Sequence, residues 1–192
     1  MKKVLLLGAA FCAVSFTANA ADITPYVSAK AAYSFTDGKA GGDSIKVKNP
    51  GLDIAAGAKI NDIRGEIAFG YLAADDKTID GDKIEFSANK FMINGYYDID
   101  IKSAVKPYVG LGAGMAKTKY VAKVPEGNMT ISKNKFAYSL MAGAGYNVTK
   151  ELTLDLGYRY TDYGSNTKDF GVERIKVETT GHEVLAGIRY AF

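Results

Sequence analysis

The amino-acid sequence predicts an all-β fold, an eight-stranded antiparallel up-and-down transmembrane β-barrel. Three observations lead to this prediction. Apolar residues alternate with small or polar residues in eight separate segments, polar connections of unequal length separate these segments, and no helical periodicity competes with the alternation. The composition agrees, because the 192-residue chain has 13 Tyr and 21 Gly but only 4 Pro, as is typical of strands and turns.

The first 20 residues are predicted to be a secretory signal peptide outside the barrel. Two lysines precede an apolar run over 4–16, and Ala18-Asn19-Ala20 has the small-x-small pattern of a cleavage site. We expect cleavage between Ala20 and Ala21, which leaves residues 21–192 as one barrel domain. The single cysteine, Cys12, lies inside the signal, so disulfides and thiolate metal sites are excluded from the mature chain.

The first four strands are assigned from period-2 alternation over 25–35, 51–60, 64–72 and 90–98, the last with an indistinct start. A tight Asn61-Asp62 turn separates the second strand from the third. On the predicted apolar face of each strand stand Val27, Ala29, Ala31, Tyr33 and Phe35; Leu52, Ile54, Ala56, Ala58 and Ile60; Ile67, Phe69 and Tyr71; and Phe91, Ile93, Gly95 and Tyr97.

The last four strands are assigned in the same way over 106–119, 135–148, 152–161 and 181–192. Their apolar faces carry Val109, Leu111, Ala113 and Met115; Phe136, Tyr138, Leu140, Ala142, Ala144 and Tyr146; Leu152, Leu154, Leu156, Tyr158 and Tyr160; and Val184, Ala186, Ile188, Tyr190 and Phe192. The opposite faces are rich in Gly, Ala and Ser.

The connections between the strands predict how the barrel is oriented. Long polar loops are expected over 36–50, 73–82, 121–134 and 162–180, with short turns after the second, fourth and sixth strands. Outer-membrane barrels have short periplasmic turns and longer external loops. Both chain termini are therefore expected on the periplasmic side.

The apolar face is predicted to meet lipid rather than a soluble core. An interior bounded by eight strands is only wide enough for side chains to fill it, and this accounts for the small residues on the polar face. Aromatic residues cluster towards the strand ends of the apolar face, as in the girdles of membrane barrels. The alternative, a soluble barrel with its apolar face inward, leaves the small residues unexplained.

Charged residues on the polar face are expected to share a narrow lumen and to form cross-strand salt bridges, because an unpaired buried charge is costly. The expected pairs are Asp155 with Arg189 and Arg159 with Glu183. The predicted network comprises Lys30, Asp53, Lys59, Glu66, Asp155, Arg159, Glu183 and Arg189. Two interpretations stay open: a structural plug, and a gated pore whose bridges exchange partners.

Three segments resemble motifs of the small outer-membrane barrel superfamily, which includes opacity-type surface proteins and OmpA/OmpX-type barrels. They are Leu154-Asp155-Leu156-Gly157-Tyr158-Arg159-Tyr160-Thr161-Asp162-Tyr163-Gly164, Lys106-Pro107-Tyr108-Val109-Gly110-Leu111-Gly112-Ala113-Gly114, and the ending 182–192. In the last segment Ile188, Tyr190 and Phe192 resemble the signal that the barrel-assembly machinery reads. The resemblance implies location in the cell outer membrane of a Gram-negative bacterium, contact with outer-membrane lipids, and external loops that bind a host or matrix receptor.

The expected function is that of a non-catalytic membrane scaffold that presents surface-exposed loops, of the adhesin or surface-antigen type. The alternative is a narrow porin-like pore for ions or small solutes. Catalysis would need a histidine-centred group, but His182 is the only histidine and alternation places Glu183 on the other face. We expect no cofactor, no metal and no nucleic-acid partner, and a monomer, since a closed barrel has no free edge.

Overall fold

A computed structural model describes residues 23–40, 43–79, 82–124, 127–169 and 174–192. The predicted signal peptide and its cleavage site between Ala20 and Ala21 lie outside the described residues. The strands are β1 (Ile23–Ala40), β2 (Asp43–Ile60), β3 (Ile63–Ile79), β4 (Asp82–Asp98), β5 (Val105–Val124), β6 (Gly127–Asn147), β7 (Leu152–Asp169) and β8 (Arg174–Ala191).

The strands form one closed antiparallel barrel in chain order. Each strand pairs with its neighbours in sequence, and β1 pairs with β8, for example Ala29 with Ile188. Closure lets the backbone N–H and C=O groups of the wall find partners on both neighbouring strands through the middle of the barrel, which lipid cannot supply. The sequence-based prediction of an eight-stranded up-and-down barrel is confirmed.

The predicted long loops are wrong, because most of their residues belong to paired strands. β1 and β2 remain paired as far as Ala40 and Asp43, and β5 and β6 as far as Val124 and Gly127. The strands contain 17 to 21 residues, so they span roughly 40–50 Å along the membrane normal, whereas the apolar band of such barrels is about 25 Å tall. The alternation of apolar and polar residues ends at the edge of the apolar band. Backbone pairing between the strands continues beyond that edge.

The opposite end of the barrel has compact connections. Asn61 adopts a positive φ of 52° in the predicted turn between β2 and β3, a conformation that asparagine tolerates well. The Thr149 hydroxyl accepts a hydrogen bond from the Leu152 amide at 2.9 Å in the connection between β6 and β7. Near the chain termini, the Phe192 amide donates to the Pro25 carbonyl at 3.0 Å.

The two faces of the wall sort as predicted. Large apolar side chains on the outer face are about half exposed, among them Phe69, Phe136 and Leu111. Buried inward positions alternate with them, as Ser28, Lys30 and other polar residues show. Among the described residues, no helix is long and apolar enough to cross a membrane.

Two β-bulges lie just beyond the outward-facing aromatic residues. The β3–β4 register shifts between Leu72 and Asp75, and the β7–β8 register between Asp162 and Ser165. Gly164 in the second bulge has a φ of +75°, which a side chain would oppose. Bulges bend a strand and increase its local twist. We therefore expect the direction of the strands to change where they leave the apolar band.

Candidate functional site: the barrel interior

The structure places all eight residues of the predicted polar network on inward-facing positions of the wall. Six of them are buried, namely Lys30, Asp53, Glu66, Asp155, Arg159 and Glu183. Lys59 and Arg189 are partly exposed near the end of the barrel that carries the compact turns. Period-2 alternation brings these residues into one lumen because each strand contributes every second side chain to it.

Arg159 of β7 is at the centre of the network. Its Nη1 lies 2.6 Å from Asp53 Oδ2 of β2. Its Nε donates to Glu183 Oε2 at 2.6 Å, and its Nη2 contacts the same oxygen. The guanidinium fork therefore holds two carboxylates from different strands at once.

Glu183 also receives a second cation. Lys90 Nζ of β4 lies 2.6 Å from Glu183 Oε1, and the Tyr163 hydroxyl donates to the same oxygen at 3.4 Å. Asp53, Lys90, Arg159 and Glu183, here called the central network, thus link four strands across the lumen. Buried ions of this kind are tolerable because each one has an opposite charge in contact.

Glu66 of β3 forms a second group without a salt bridge in contact. Its carboxylate accepts hydrogen bonds from the Tyr96 hydroxyl at 2.7 Å, the Asn94 amide at 3.1 Å and the Tyr26 hydroxyl at 3.1 Å. Three neutral donors therefore solvate one buried charge. We call these four residues the Glu66 cluster.

A third group lies nearer the compact turns. Asp98 Oδ1 accepts from Arg64 Nε at 2.8 Å, and Asp98 Oδ2 from Lys59 Nζ at 2.6 Å. The buried Arg64 guanidinium also lies 4.5 Å from the Tyr96 ring centroid and 4.9 Å from that of Tyr108. Stacking between two rings stabilises a guanidinium in a site with little water.

Both ion pairs expected from the sequence register are present. Arg159 and Glu183 are direct neighbours across β7 and β8. Arg189 Nε lies 3.5 Å from Asp155 Oδ2, so this second contact is looser.

Inward glycines make room for tyrosines that reach into the lumen. A Cβ added to Gly143 would lie 2.6 Å from Tyr108 Cζ, and one added to Gly157 would lie 2.5 Å from the Tyr108 hydroxyl. Real Cβ atoms do not approach other atoms so closely, so a side chain at either position would displace the ring. The small residues of the polar face are thus a packing requirement of the interior.

The three groups leave little free space between them. A cavity of about 20 Å³ lies between the central network and the Glu66 cluster, lined by Asp53, Glu66, Arg159 and neighbouring residues. This is room for about one water molecule. The middle of the barrel is filled with side chains.

The sequence-based network omitted several buried residues. Arg64, Lys90 and Asp98 all occupy inward positions of the alternation, and this position was the signal that could have identified them. Tyr163 was missed because the segment after 161 was assigned to a loop. Tyr26, Tyr96 and Tyr108 also occupy inward positions, but they were missed because the predicted network was drawn from charged residues alone.

The other two predicted sites lie on the outer wall or outside the described residues. Ile188, Tyr190 and Phe192 all face outward, with the Tyr190 and Phe192 rings 5.4 Å apart at 80°. Their role as an assembly signal stays a prediction. Ala20 and Ala21 lie outside the described residues.

His182 faces outward, away from the polar interior. Its Nδ1 lies 2.5 Å from the Tyr158 hydroxyl, and its ring centroid lies 5.2 Å from that of Tyr160. Glu183, next to it in sequence, is buried on the inner face. In the described part of the chain, no three His, Cys, Asp or Glu residues are grouped so that they could hold a metal ion.

Comparison with protein families and curated proteins gives consistent results. A family model described as "Outer membrane protein beta-barrel domain" matches residues 4–192. Outer membrane protein PagN of Salmonella typhimurium is 32% identical over 116 residues, which cover 53% of this chain and 48% of that protein. Opacity protein opA65 of Neisseria gonorrhoeae is 28% identical over 123 residues, covering 50% and 49% of the two chains.

The chain therefore spans about half the length of these curated relatives. Among solved structures, Neisserial surface protein A superposes with a TM-score of 0.65 at 25% sequence identity. That match covers 88% of this chain and 97% of the other, so the likeness extends over nearly the whole barrel.

Proposed function

The chain belongs to the outer membrane protein β-barrel domain family, and on this premise we propose that it is a non-catalytic scaffold that presents its external hairpins to a partner outside the cell. It is a bacterial outer-membrane protein, like its relatives PagN and the opacity proteins. The proposed role is that of a surface antigen or adhesin.

The observation that carries the proposal is the mismatch between strand length and membrane thickness. Outward-facing apolar residues on β5 run from Val105 to Met115, which at the usual rise and tilt covers roughly 23 Å. β5 continues to Val124, still paired with β6. The paired hairpins thus project beyond lipid on one side, which we assign to the cell exterior, with the termini in the periplasm.

The filled interior favours a scaffold function rather than a channel function. The central network crosses the lumen from β2, β4, β7 and β8, and a cavity the size of about one water molecule lies beside it. Open aqueous channels are found in barrels of about 16 strands. A barrel whose lumen is filled in this way anchors the hairpins in the membrane.

The position of His182 supports the non-catalytic part of the proposal. Its ring is packed against tyrosines of the outer wall, whereas Glu183 and the other carboxylate of the central network, Asp53, lie inside. A histidine-centred catalytic group requires its partners within hydrogen-bond reach.

Cell or matrix binding tests the scaffold proposal directly. Cells that display the intact barrel are compared with cells displaying variants in which the distal part of one hairpin, such as 120–132 or 74–85, is replaced by a short turn. The amount of each protein on the cell surface is measured with an antibody, and cells with equal amounts are compared. Binding that falls in one hairpin variant supports the proposal; binding that is unchanged in all four hairpin variants contradicts it.

A narrow pore is the second candidate, favoured by one observation. Glu183 holds Lys90 through Oε1 and Arg159 through Oε2, so movement of either cation away from its oxygen would open the network. Single-channel recording in planar bilayers distinguishes the candidates. Reproducible conductance that changes in Lys90→Met would favour the pore, and a silent bilayer with correctly folded protein favours the scaffold.

Export and assembly follow the same proposal. We propose removal of residues 1–20, recognition of the strand that ends in Phe192 by the barrel-assembly machinery, and a monomeric state in the membrane. N-terminal sequencing of protein from outer-membrane fractions tests the first of these, since an intact Met1 would contradict it.

A further inference from the structure

The outward face of β4, β5 and β6 changes chemistry abruptly at one register. Phe91, Met115 and Phe136 are neighbours across these strands and are 53%, 50% and 62% exposed. The next outward-facing residues, Asn89, Lys117 and Asn134, are again neighbours and all are exposed. An apolar row therefore borders a row of hydrogen-bond donors, one of them cationic.

A second lysine extends this row. Lys119 is exposed and is the next outward-facing residue of β5, where the register places Ser87 and Ser132 opposite it. Acidic residues are absent from these two rows.

Other strands of the barrel carry mixed charge at the same transition. On β1 the outward residue after Phe35 is Asp37, and on β7 the one after Tyr160 is Asp162. The Asp162 carboxylate accepts the Tyr138 hydroxyl at 2.6 Å. On β2, Lys48 pairs with Phe35 and its Nζ lies 5.9 Å from the Phe35 ring centroid. Acidic and basic residues are thus mixed on these strands, whereas the two rows on β4, β5 and β6 combine hydrogen-bond donors with positive charge and contain no acidic residue.

The position of Lys117 fits the lipid headgroup layer. It stands one outward position beyond Met115, where the roughly 23 Å apolar stretch of β5 ends. A lysine there can lay its methylene stem against the apolar wall and extend its ammonium group into the interface.

We propose that Asn89, Lys117, Lys119 and Asn134, here called the cationic rim, bind the phosphate groups of phosphorylated lipids in the outer leaflet. The ammonium groups supply charge and donors, the amides supply further donors, and the acyl chains pack on Phe91, Met115 and Phe136. This assignment does not depend on what the hairpin tips bind.

The test uses the whole refolded barrel in an uncharged detergent, with bisphosphorylated lipid A as the probe and its dephosphorylated form as the comparison. The variant Lys117→Gln/Lys119→Gln is compared with Lys102→Gln/Lys150→Gln, which removes the same charge from exposed lysines in the connections at the opposite end of the barrel. Binding is measured by native mass spectrometry, and folding by heat-modifiable gel mobility.

We expect the rim variant to bind bisphosphorylated lipid A on the order of 25-fold more weakly, about fivefold per lysine. The control variant should stay within about twofold of wild type, and Lys117→Arg should retain binding because it keeps the charge. The dephosphorylated lipid should bind all proteins equally and weakly.

Three results would overturn the proposal. One is unchanged lipid A binding by the rim variant, and another is an equal loss in the control variant. The third is displacement of the lipid by millimolar inorganic phosphate or by a sulfated polysaccharide, which would assign the rim to free phosphate or to a soluble polyanion instead.

Discussion

At the residue scale, Arg159 shows how strongly the interior depends on single groups. It contacts Asp53 and Glu183 together, so its removal would leave two buried carboxylates with too little compensating charge. An unpaired buried ion costs several kcal/mol, whereas an exposed pair is worth little.

We therefore expect Arg159→Met to lower the free energy of unfolding by about 3–5 kcal/mol, measured by urea titration in lipid vesicles. The matched control is Lys106→Gln. Lys106 pairs with Asp100 at 3.7 Å, with both side chains substantially exposed, so the expected loss there is under about 1 kcal/mol. Similar losses in both variants would mean that the central network is not a main source of stability.

Gly157 offers a second residue-scale prediction. Its added Cβ would lie 2.5 Å from the Tyr108 hydroxyl, while its other near atoms stay beyond 3.5 Å. Gly157→Ala should cost about 1–3 kcal/mol through overpacking, and Tyr108→Phe should relieve most of that cost. Gly65→Ala is the control because a Cβ there meets nothing within 4 Å. A double-mutant cycle with purely additive energies would contradict the contact.

At the element scale, the alternation predicted what lies on each face better than it predicted where each strand ends. The faces follow from one physical contrast between lipid and lumen, and this contrast is present in the sequence of every strand. Beyond the apolar band this contrast is lost, so residues 75–79 show no apolar–polar alternation in the sequence although their backbone is paired. Alternation places Arg64 and Lys90 inside the barrel, but which charges meet across the lumen depends on three-dimensional position and could not be predicted.

The third prediction concerns how deep in the membrane an outward-facing residue lies. Leu111 lies mid-strand on β5 and is 66% exposed to lipid, so Leu111→Lys should destabilise the barrel by about 2–4 kcal/mol. The Ile101 side chain is also exposed, but it lies in the connection between β4 and β5 rather than in a strand. Ile101→Lys should cost no more than about 1 kcal/mol in the same vesicle titration.

At the whole-molecule scale, pairing of β1 with β8 closes the barrel, and we therefore expect it to unfold as a single cooperative unit. Unboiled protein from detergent-extracted membranes should migrate differently from boiled protein in gels. The difference is expected because strands held by a closed ladder resist detergent until heated. The same protein folded and monomeric in buffer without detergent would contradict the lipid-facing assignment of the outer wall.

The three buried groups also have a mechanical consequence. They brace the cylinder from within at successive heights, so its cross-section has little freedom to flatten. The projecting hairpins therefore stand on a rigid ring with fixed spacing. On the proposed surface role, substitutions in the hairpins beyond this ring should therefore leave the ring's cross-section unchanged.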